Sequence, residues 1–201
     1  MQYAHLGRSG VLVSRLCLDT MNFGWETNEA EAIQIMDAAL DSGINFMDTA
    51  NAYGFLGLVA EQSQYNLTSR TPELEVISVC REYELGLVPY SPLSNGILAG
   101  GTQDARQGRR ADMKAKAKTL ADKLALYFDL CEKIDKEPAE VAVARLLQNP
   151  MVTAPIIGPR TLEQFFDSLH ALDIELDDTT MAKLDDIWPG PGGEAPEAYA
   201  W

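Results

Sequence analysis

The stretch Gly43-Ile44-Asn45-Phe46-Met47-Asp48 decides the fold, because it joins the end of a helix to a short apolar strand that finishes on a carboxylate. The helix is predicted to begin at Asn28, with Glu31 as its capping-box partner, and to end at Gly43. Its apolar positions are predicted to share one face: Ile33, Met36, Ala39 and Leu40. A buried strand is predicted before the helix at Leu16-Cys17-Leu18, so strand, helix and strand follow one another.

The same alternation continues outward in both directions. A hairpin is predicted to open the chain, with strands at 3–6 and 11–13 around a turn at 7–10, since Ser-Gly pairs between apolar runs mark turns. Later strands are predicted at 58–60, 87–90 and 154–157, and helices at 75–83, 121–134, 138–147, 162–172 and 179–187. Strands that alternate with amphipathic helices predict an α/β protein with a parallel sheet and helices outside it.

Length and composition predict a single globular domain over 1–201. The chain has 201 residues, which is enough for one sizeable core but short of the about 250 residues typical of a parallel α/β barrel. Hydrophobic residues make up 46% and charged residues 23% of the chain, and no apolar run approaches the roughly 18 residues of a membrane span. Because the N-terminus also has no signal-peptide core, a cytoplasmic protein without a membrane partner is expected.

Charge and cysteine content narrow the function classes further. The formal net charge of −14 argues against a nucleic-acid partner. The one basic cluster, at 106–118, is interrupted by Asp112 and is predicted to be a solvated loop that enters a helix. The three cysteines (Cys17, Cys80 and Cys131) are widely spaced, with no C-x-x-C pair and no histidine at metal-ligand spacing, so buried free thiols and no metal site are expected.

Asp48 and Tyr53 are the first candidates for chemistry, since a parallel α/β protein carries its reactive residues at the carboxyl ends of its strands. Tyrosine has an unperturbed pKa of about 10, so it can act as a general acid at neutral pH only where neighbours stabilise its anion. A buried carboxylate alone would do the opposite, and a cation would have to lie between them. Without such a neighbour the pair is equally well explained as a helix cap and a packed aromatic ring.

The second candidate is Gly158-Pro159-Arg160-Thr161, where a strand end leads into a helix. Thr161 with Gln164 is predicted to form a capping box, which by itself is structural. The free N–H groups of the helix start and the permanent charge of Arg160 would also suit a phosphate. An anion site and a plain cap both remain open. No G-x-G-x-x-G follows the first strand and no G-x-x-x-x-G-K-[ST] occurs, so a Rossmann or P-loop site is not expected.

Six segments, in order along nearly the whole chain, resemble an aldo-keto reductase. They are Leu6-Gly7-Arg8-Ser9-Gly10, Thr20-Met21-Asn22-Phe23-Gly24, Gly43-Ile44-Asn45-Phe46-Met47-Asp48-Thr49-Ala50, Tyr53-Gly54, Pro89-Tyr90-Ser91-Pro92-Leu93 and Gly158-Pro159-Arg160-Thr161. The resemblance implies a (β/α)8 TIM barrel with an N-terminal β-hairpin, with NADPH bound across the top face. It also implies reduction of an aldehyde or ketone, so the expected partner is a small-molecule carbonyl substrate; a homo-oligomer is compatible with the sequence.

Catalysis in this family uses an Asp, a Tyr, a Lys and a His. The Tyr protonates the carbonyl oxygen as the nicotinamide delivers hydride to carbon, the Lys paired with the Asp lowers the pKa of the Tyr, and the His orients the substrate. Asp48 and Tyr53 match two of the four by resemblance, and no residue of the chain matches the Lys or the His.

The resemblance also assigns cofactor contacts. Gln62 matches the glutamine beside the carboxamide, and Tyr90 matches the aromatic ring stacked on nicotinamide. The remaining predicted cofactor contacts lie at the end of the first strand, in the loop over the pyrophosphate and after the last strand. They are Thr20, Met21, Ser91, Leu93, Asn95, Gly158, Arg160 and Gln164. Arg160 is expected to favour NADPH over NADH. Asp19 departs from the family, which usually has a glycine there, and its carboxylate would crowd an anionic cofactor. Backbone capping by Gln62 and Asn95 and core packing by Tyr90 are the structural alternatives.

The barrel implied by the resemblance is incomplete. After Gly54 the sequence resumes at Gly57-Leu58-Val59-Ala60-Glu61-Gln62, which resembles the sixth strand of the family, so about three of the eight strands are absent at a discontinuity near 54–57. Either the protein contains a central region that this sequence omits, or the region is deleted. The alternative function is therefore a non-catalytic, reductase-like subunit that binds nucleotide or regulates a partner.

Overall fold

The computed structural model describes residues 1–20, 22–23, 27–48, 59–100 and 114–192. Its strands are β1 (Tyr3–His5), β2 (Leu12–Ser14), β3 (Cys17–Asp19), β4 (Met47–Asp48), β5 (Ala60–Glu61), β6 (Gly86–Leu87) and β7 (Ile156–Ile157). Its helices are α1 (Glu29–Asp41), α2 (Val76–Glu82), α3 (Ala121–Lys133), α4 (Pro138–Leu147), α5 (Leu162–His170) and α6 (Asp178–Ile187), with a further helical segment at 114–119. Each predicted element that falls within the described residues is present, with ends shifted by a few residues.

The strands β3 to β7 form two parallel sheets that meet at β6 and β7. β3 pairs in parallel with β4 on one side and β7 on the other, and β5 pairs in parallel with β6. A parallel bridge between Leu87 and Val152, and a hydrogen bond from the Ile156 N–H to the Pro89 carbonyl at 2.8 Å, connect the two sets. The order is therefore β4-β3-β7-β6-β5, and a closed eight-stranded barrel is not formed by the described residues.

The predicted hairpin is confirmed, and its turn lies beneath the sheet. β1 and β2 pair antiparallel, with Ala4 opposite Val13. Gly7 has φ +51°, and a Cβ atom there would lie 2.3 Å from the carbonyl oxygen of Val59 and 2.6 Å from that of Glu84. Only a residue without a side chain can bring the turn this close to the segments that lead into β5 and β6.

Apolar packing occurs inside the strands and between the sheet and its helices. The strands enclose a small cluster to which each of β3 to β7 or its flanking residues contributes: Cys17, Val88, Ala154 and Ile156, with Leu6, Phe46 and Ala60 against it. A second cluster lies between the sheet and the helices α1 and α5, and includes Leu18, Ile35 and Phe165. The largest cluster joins α3, α4 and α6 through residues such as Tyr127 and Leu184. The helices therefore lie outside the sheet, as predicted.

The start of α1 matches its prediction, and its predicted apolar face is buried only in part. The Asn28 side chain accepts a hydrogen bond from the Glu31 N–H at 3.0 Å, and Gly43 has φ +84°. The buried residues, however, are Ala32, Ile35 and Ala39, whereas Ile33 is 45% and Leu40 is 59% exposed. Of the predicted face, Ala39 is buried and Met36 packs, partly buried, against the cluster beside α5, so the prediction was wrong only for Ile33 and Leu40, which no described residue covers fully.

The predicted free thiols are confirmed: Cys17, Cys80 and Cys131 are buried and unpaired. Burial raises the pKa of Cys131 to about 11, so this thiol stays protonated at neutral pH. Among the described residues, no cluster of three or more histidines, cysteines or acidic residues could hold a metal ion. No helix in the described ranges is both long and apolar enough to cross a membrane.

Candidate active site

Thr20, Asp48 and Gln62 lie together at the carboxyl ends of three strands. Asp48 ends β4, and its main-chain oxygen accepts hydrogen bonds from the Thr20 N–H at 3.1 Å and from the Thr20 hydroxyl at 2.9 Å. The Gln62 amide, just after β5, donates to the Asp48 carboxylate, with Nε2 3.3 Å from Oδ1. Two residues predicted to contact the cofactor are therefore in direct contact with the predicted catalytic aspartate.

The contact between Asp48 and Gln62 also joins the two outer strands. Among the described strands, β4 pairs only with β3 and β5 pairs only with β6, so their other edges have no strand partner. Both side chains reach solvent, Gln62 more than Asp48. This side-chain hydrogen bond thus bridges the two edges at the carboxyl-terminal end of the strands, which we call the mouth.

Asp19 places a second carboxylate at this mouth. It is the register partner of Asp48 across β3 and β4. A Cβ atom added to Gly158, at the end of β7, would lie 3.4 Å from the Asp19 Oδ2 atom. Burial, and then the charges of Asp48 and Asp19, raise the pKa of the Cys17 thiol beneath them. The mouth is therefore negatively charged, and Cys17 remains a neutral thiol there at neutral pH.

The start of α5 is capped by its own side chains. The Thr161 hydroxyl accepts a hydrogen bond from the Gln164 N–H at 3.2 Å, as the predicted cap requires. The Gln164 side chain does not reach back to Thr161, however, but accepts from the Arg160 N–H at 2.9 Å. The Thr27 hydroxyl, 3.4 Å from the Arg160 carbonyl, ties this turn to the segment before α1. The cap is thus observed, and phosphate binding by half-buried Arg160 stays a prediction.

The loop after Tyr90 holds three side-chain-bearing residues in left-handed backbone. Their φ angles are +53° at Ser91, +51° at Ser94 and +58° at Asn95. Such conformations persist only where surrounding contacts fix them. The Asn66 amide donates to the Ser91 carbonyl at 2.8 Å, and the Thr68 and Ser94 hydroxyls lie 2.8 Å apart.

The other predicted residues of this loop have different surroundings. Tyr90 is 42% exposed, so part of its ring is open to solvent and available for stacking. Asn95 is exposed, and its Oδ1 atom lies 3.5 Å from the Ser91 hydroxyl. Leu93 packs between the two apolar clusters of α1 with α5 and of α3, α4 and α6, which is a core position.

Sequence reasoning missed Lys116. Its ammonium group donates to the hydroxyl of fully buried Ser94 at 3.0 Å, which brings a cation to the predicted pyrophosphate loop. The basic cluster that contains Lys116 was expected to be only a solvated surface. No local pattern links the two residues, since 22 positions separate them, and only the packing of the 114–119 helix against the loop brings them together.

Two predicted site residues, Tyr53 and Met21, lie outside the described residues. The predicted discontinuity near 54–57 lies outside them as well. The described part of the site therefore consists of the group at Thr20, Asp48 and Gln62, the loop from Tyr90 to Asn95, and the turn at Arg160.

Comparison with known proteins relates these positions to one family. The model of the aldo/keto reductase family matches residues 15–57 and, separately, residues 54–189. An oxidoreductase of Bacillus subtilis named YrpG, described as uncharacterized, is 32% identical over 329 aligned positions that cover 100% of both chains. That alignment has 128 more positions than the 201 residues of the chain, so at least that many have no counterpart here.

Other relatives match only in part. A protein of Schizosaccharomyces pombe named as a voltage-gated potassium channel subunit beta is 28% identical over 87% of the chain and 52% of its own length. A protein of Dothistroma septosporum named norsolorinic acid reductase B is 27% identical over 72% of the chain and 38% of its own length. The chain thus spans about half, or less, of the length of these two relatives.

Proposed function

The chain belongs to the aldo/keto reductase family, and from that premise we propose that the protein, once its barrel is completed by the absent central βα units, reduces an aldehyde or ketone with NADPH. The coarser activity, oxidoreductase, follows the family and the Bacillus subtilis relative. One observation carries the finer proposal. Thr20 and Gln62, predicted from separate strands to serve one reaction with Asp48, are each hydrogen-bonded to Asp48 at the carboxyl end of the sheet, Thr20 to its main-chain oxygen and Gln62 to its carboxylate.

The residues present fit a nicotinamide cofactor in part. The partly exposed ring of Tyr90 offers a face for stacking, and Arg160 at the start of α5 and Lys116 beside the Ser94 loop offer positive charge for phosphates. Asp19 and Asp48 oppose an anion near the mouth, and the Gln62 amide now binds Asp48. NADPH would supply a hydride to the carbonyl carbon. Tyr53 would donate the proton to the carbonyl oxygen, and Asp48 would hold a cationic neighbour that lowers the pKa of Tyr53.

Tyr53→Phe tests the proton donor. The assay uses a chimera in which the central positions of the Bacillus subtilis relative are inserted between Gly54 and Gly57, since they are expected to supply the absent Lys and His. Loss of one general acid is expected to lower turnover by about 10²-fold or more, with NADPH binding changed little, because the hydroxyl alone is removed. Turnover is followed as NADPH oxidation and binding by fluorescence titration. Undiminished turnover would contradict the role of Tyr53.

Arg160→Ala tests the phosphate site. A charge-assisted hydrogen bond contributes about 1.5 to 3 kcal/mol, so the variant is expected to bind NADPH roughly tenfold or more weakly, with little change for NADH, which has no such phosphate. The matched control is Arg8→Ala, which removes an exposed cation from the opening hairpin. Equal weakening of both cofactors would show that Arg160 supports the fold and does not select the phosphate.

A second candidate function is a regulatory subunit without turnover. It is supported by the absence of residues that match the catalytic Lys and His, and weakly by the relative named as a potassium channel subunit beta. NADPH binding without carbonyl reduction in the chimera would favour it. For either function we place the protein in the cytoplasm, because three unpaired cysteines suit a reducing compartment.

A further inference from the structure

Four polar side chains connect the predicted pyrophosphate loop to two other segments, and we call them the polar network: Lys116, Ser94, Thr68 and Asn66. The Lys116 ammonium donates to the Ser94 hydroxyl at 3.0 Å. The Ser94 and Thr68 hydroxyls lie 2.8 Å apart, and the Thr68 hydroxyl donates to the Asn66 side-chain oxygen at 2.9 Å. The Asn66 amide in turn donates to the Ser91 carbonyl at 2.8 Å. The network therefore contacts the loop at two points, Ser94 and Ser91.

The direction of each hydrogen bond in the polar network is fixed by the network's two ends. The Thr68 N–H donates to the Asn66 side-chain oxygen at 2.9 Å, so this oxygen faces Thr68 and the NH2 group faces the Ser91 carbonyl. Because the Thr68 hydroxyl donates its single hydrogen to Asn66, it must accept from Ser94. Ser94 then has no hydrogen left and can only accept from Lys116. The network thus requires a donor at the position of the Lys116 ammonium.

The inner part of the polar network is removed from water. Ser94 is fully buried and Asn66 is 1% exposed, whereas Lys116 and Thr68 are half-buried. A buried oxygen without a donor costs free energy, and hydrogen bonds from charged groups are stronger than those between neutral groups. Hydrogen bonds in series also polarise one another, so the charge of Lys116 strengthens the bonds made by Thr68 as well.

The backbone that the polar network holds is strained. Ser91, Ser94 and Asn95 have φ angles between +51° and +58°, which residues with side chains rarely adopt. Ser94 is turned inward, while Ser91 is half-buried and Asn95 is exposed. The Ser91 carbonyl accepts from the Ser94 N–H at 2.9 Å as well as from the Asn66 amide. The network therefore holds this turn at both of its ends, and with it the outward side chains of Ser91 and Asn95.

Apolar packing explains how Lys116 reaches the loop. Leu98, just after the loop, is buried in the cluster of α3, α4 and α6. Ala117 and Leu120 pack, partly buried, against the same cluster. The loop and the 114–119 segment therefore lie on one apolar cluster, and the Lys116 ammonium makes a polar contact between them.

We propose that Lys116 is a positioning residue that holds the loop, through the polar network, in the conformation that binds the pyrophosphate of the cofactor. This inference rests on the proposed function, which assigns the loop to NADPH. The charge of Lys116 contributes to the field at the loop, but its contact is with Ser94, and it acts on the cofactor through that contact. NADPH and NADH both contain the pyrophosphate, so Lys116 serves both cofactors equally, whereas Arg160 is expected to select between them.

Lys116→Met tests whether Lys116 orders the loop, since it removes the ammonium group and keeps an apolar stem. In the full chain, hydrogen–deuterium exchange of a peptide that covers 90–100 is expected to become about tenfold faster, because the turn opens more often. A peptide that covers α3 is expected to exchange as before. The matched control is Lys118→Met, which changes an exposed lysine of the same segment and is expected to alter neither peptide.

Lys116→Arg, which keeps a cationic donor, is expected to retain slow exchange at 90–100. Unchanged exchange of this peptide in Lys116→Met would overturn the proposal. Equal acceleration in α3 would overturn it as well, because it would show a general loss of stability.

Cofactor titrations of the same variants test the positioning role, in the full chain and in the chimera that carries the central region. Lys116→Met is expected to raise the Kd of both NADPH and NADH about tenfold, and Lys116→Arg by about threefold at most. Thr68→Val removes the hydroxyl that links Ser94 to Asn66. In the double variant with Lys116→Met, the two effects are therefore expected to combine to less than their sum. Full additivity would overturn the proposal, because Lys116 would then act without the network.

The two kinds of measurement separate this inference from the proposed function. If the unaltered chimera does not bind NADPH, the proposed function is contradicted and the cofactor role of Lys116 is lost with it. The exchange measurements then still decide whether Lys116 orders the loop. If Lys116→Met weakens NADPH binding and leaves NADH binding unchanged, the proposal is wrong, because Lys116 would then contact the phosphate that only NADPH has.

Discussion

The 201-residue chain by itself is expected to oxidise NADPH no faster than a protein-free control, with any aldehyde or ketone offered. No residue of the chain matches the Lys that would pair with Asp48, and the Asp48 carboxylate instead accepts a hydrogen bond from Gln62. Without that lysine, no residue that the resemblance assigns favours the Tyr53 anion, so Tyr53 is expected to transfer its proton poorly at neutral pH. Without the absent strands the substrate is also not positioned, and positioning contributes about 7 to 11 kcal/mol where it is most effective.

The experiment compares the chain with the chimera that carries the central region, over a broad panel of aldehydes. We also expect the chain alone to be poorly soluble, because among the described strands β4 and β5 have one partner each and because Leu40 and Tyr83 are exposed. Robust turnover by the chain alone would mean that the absent βα units are dispensable. Turnover by neither form would remove the support for a reductase and favour the regulatory alternative.

The sequence predicted the framework of this fold well, because its signals are local. The cap at Asn28, the end of α1 at Gly43 and the cap at Thr161 each depend on residues within four positions, and each is present in the structure. The parallel order of strands followed from the alternation of short apolar runs and helices. Family segments assigned Thr20, Asp48 and Gln62 to one site, and in the structure Thr20 and Gln62 each contact Asp48, while the roles of the three residues stay predictions.

The parts that sequence did not predict depend on distant neighbours. The buried face of α1 could not be placed from periodicity, because Ile33 and Leu40 would be covered only if a helix lay on each side of α1. Lys116 reaches Ser94 through packing between segments 22 positions apart. The Gln164 side chain accepts a hydrogen bond from the Arg160 N–H and not from the Thr161 N–H. The capping pattern does not distinguish between these two N–H groups, which are one residue apart.

Gly7→Ala is expected to destabilise the chain far more than Gly10→Ala, although both glycines lie in the hairpin turn with left-handed backbone. Gly10 has φ +74° and no atom within 4 Å of an added Cβ, so its substitution costs only the left-handed strain of about 1 to 2 kcal/mol. Gly7, at φ +51°, bears the same strain, and its Cβ would also overlap main-chain atoms of Val59, Glu84 and Gly86 at 2.3 to 2.7 Å. Overpacking adds about 1 to 3 kcal/mol, and more where backbone must move.

Thermal unfolding followed by circular dichroism measures the difference, in the chain at low concentration and in the chimera. For a domain of this size about 1 kcal/mol shifts the Tm by about 2 to 4 °C. Gly7→Ala is therefore expected to lower the Tm by about 6 °C or more, and Gly10→Ala by about half of that or less. The difference reports on the contact between the hairpin turn and the segments before β5 and β6, because the backbone strain is common to both variants. Equal shifts would mean that Gly7 does not lie against the carbonyl groups of Val59 and Glu84, and that the turn does not close the lower end of the strands.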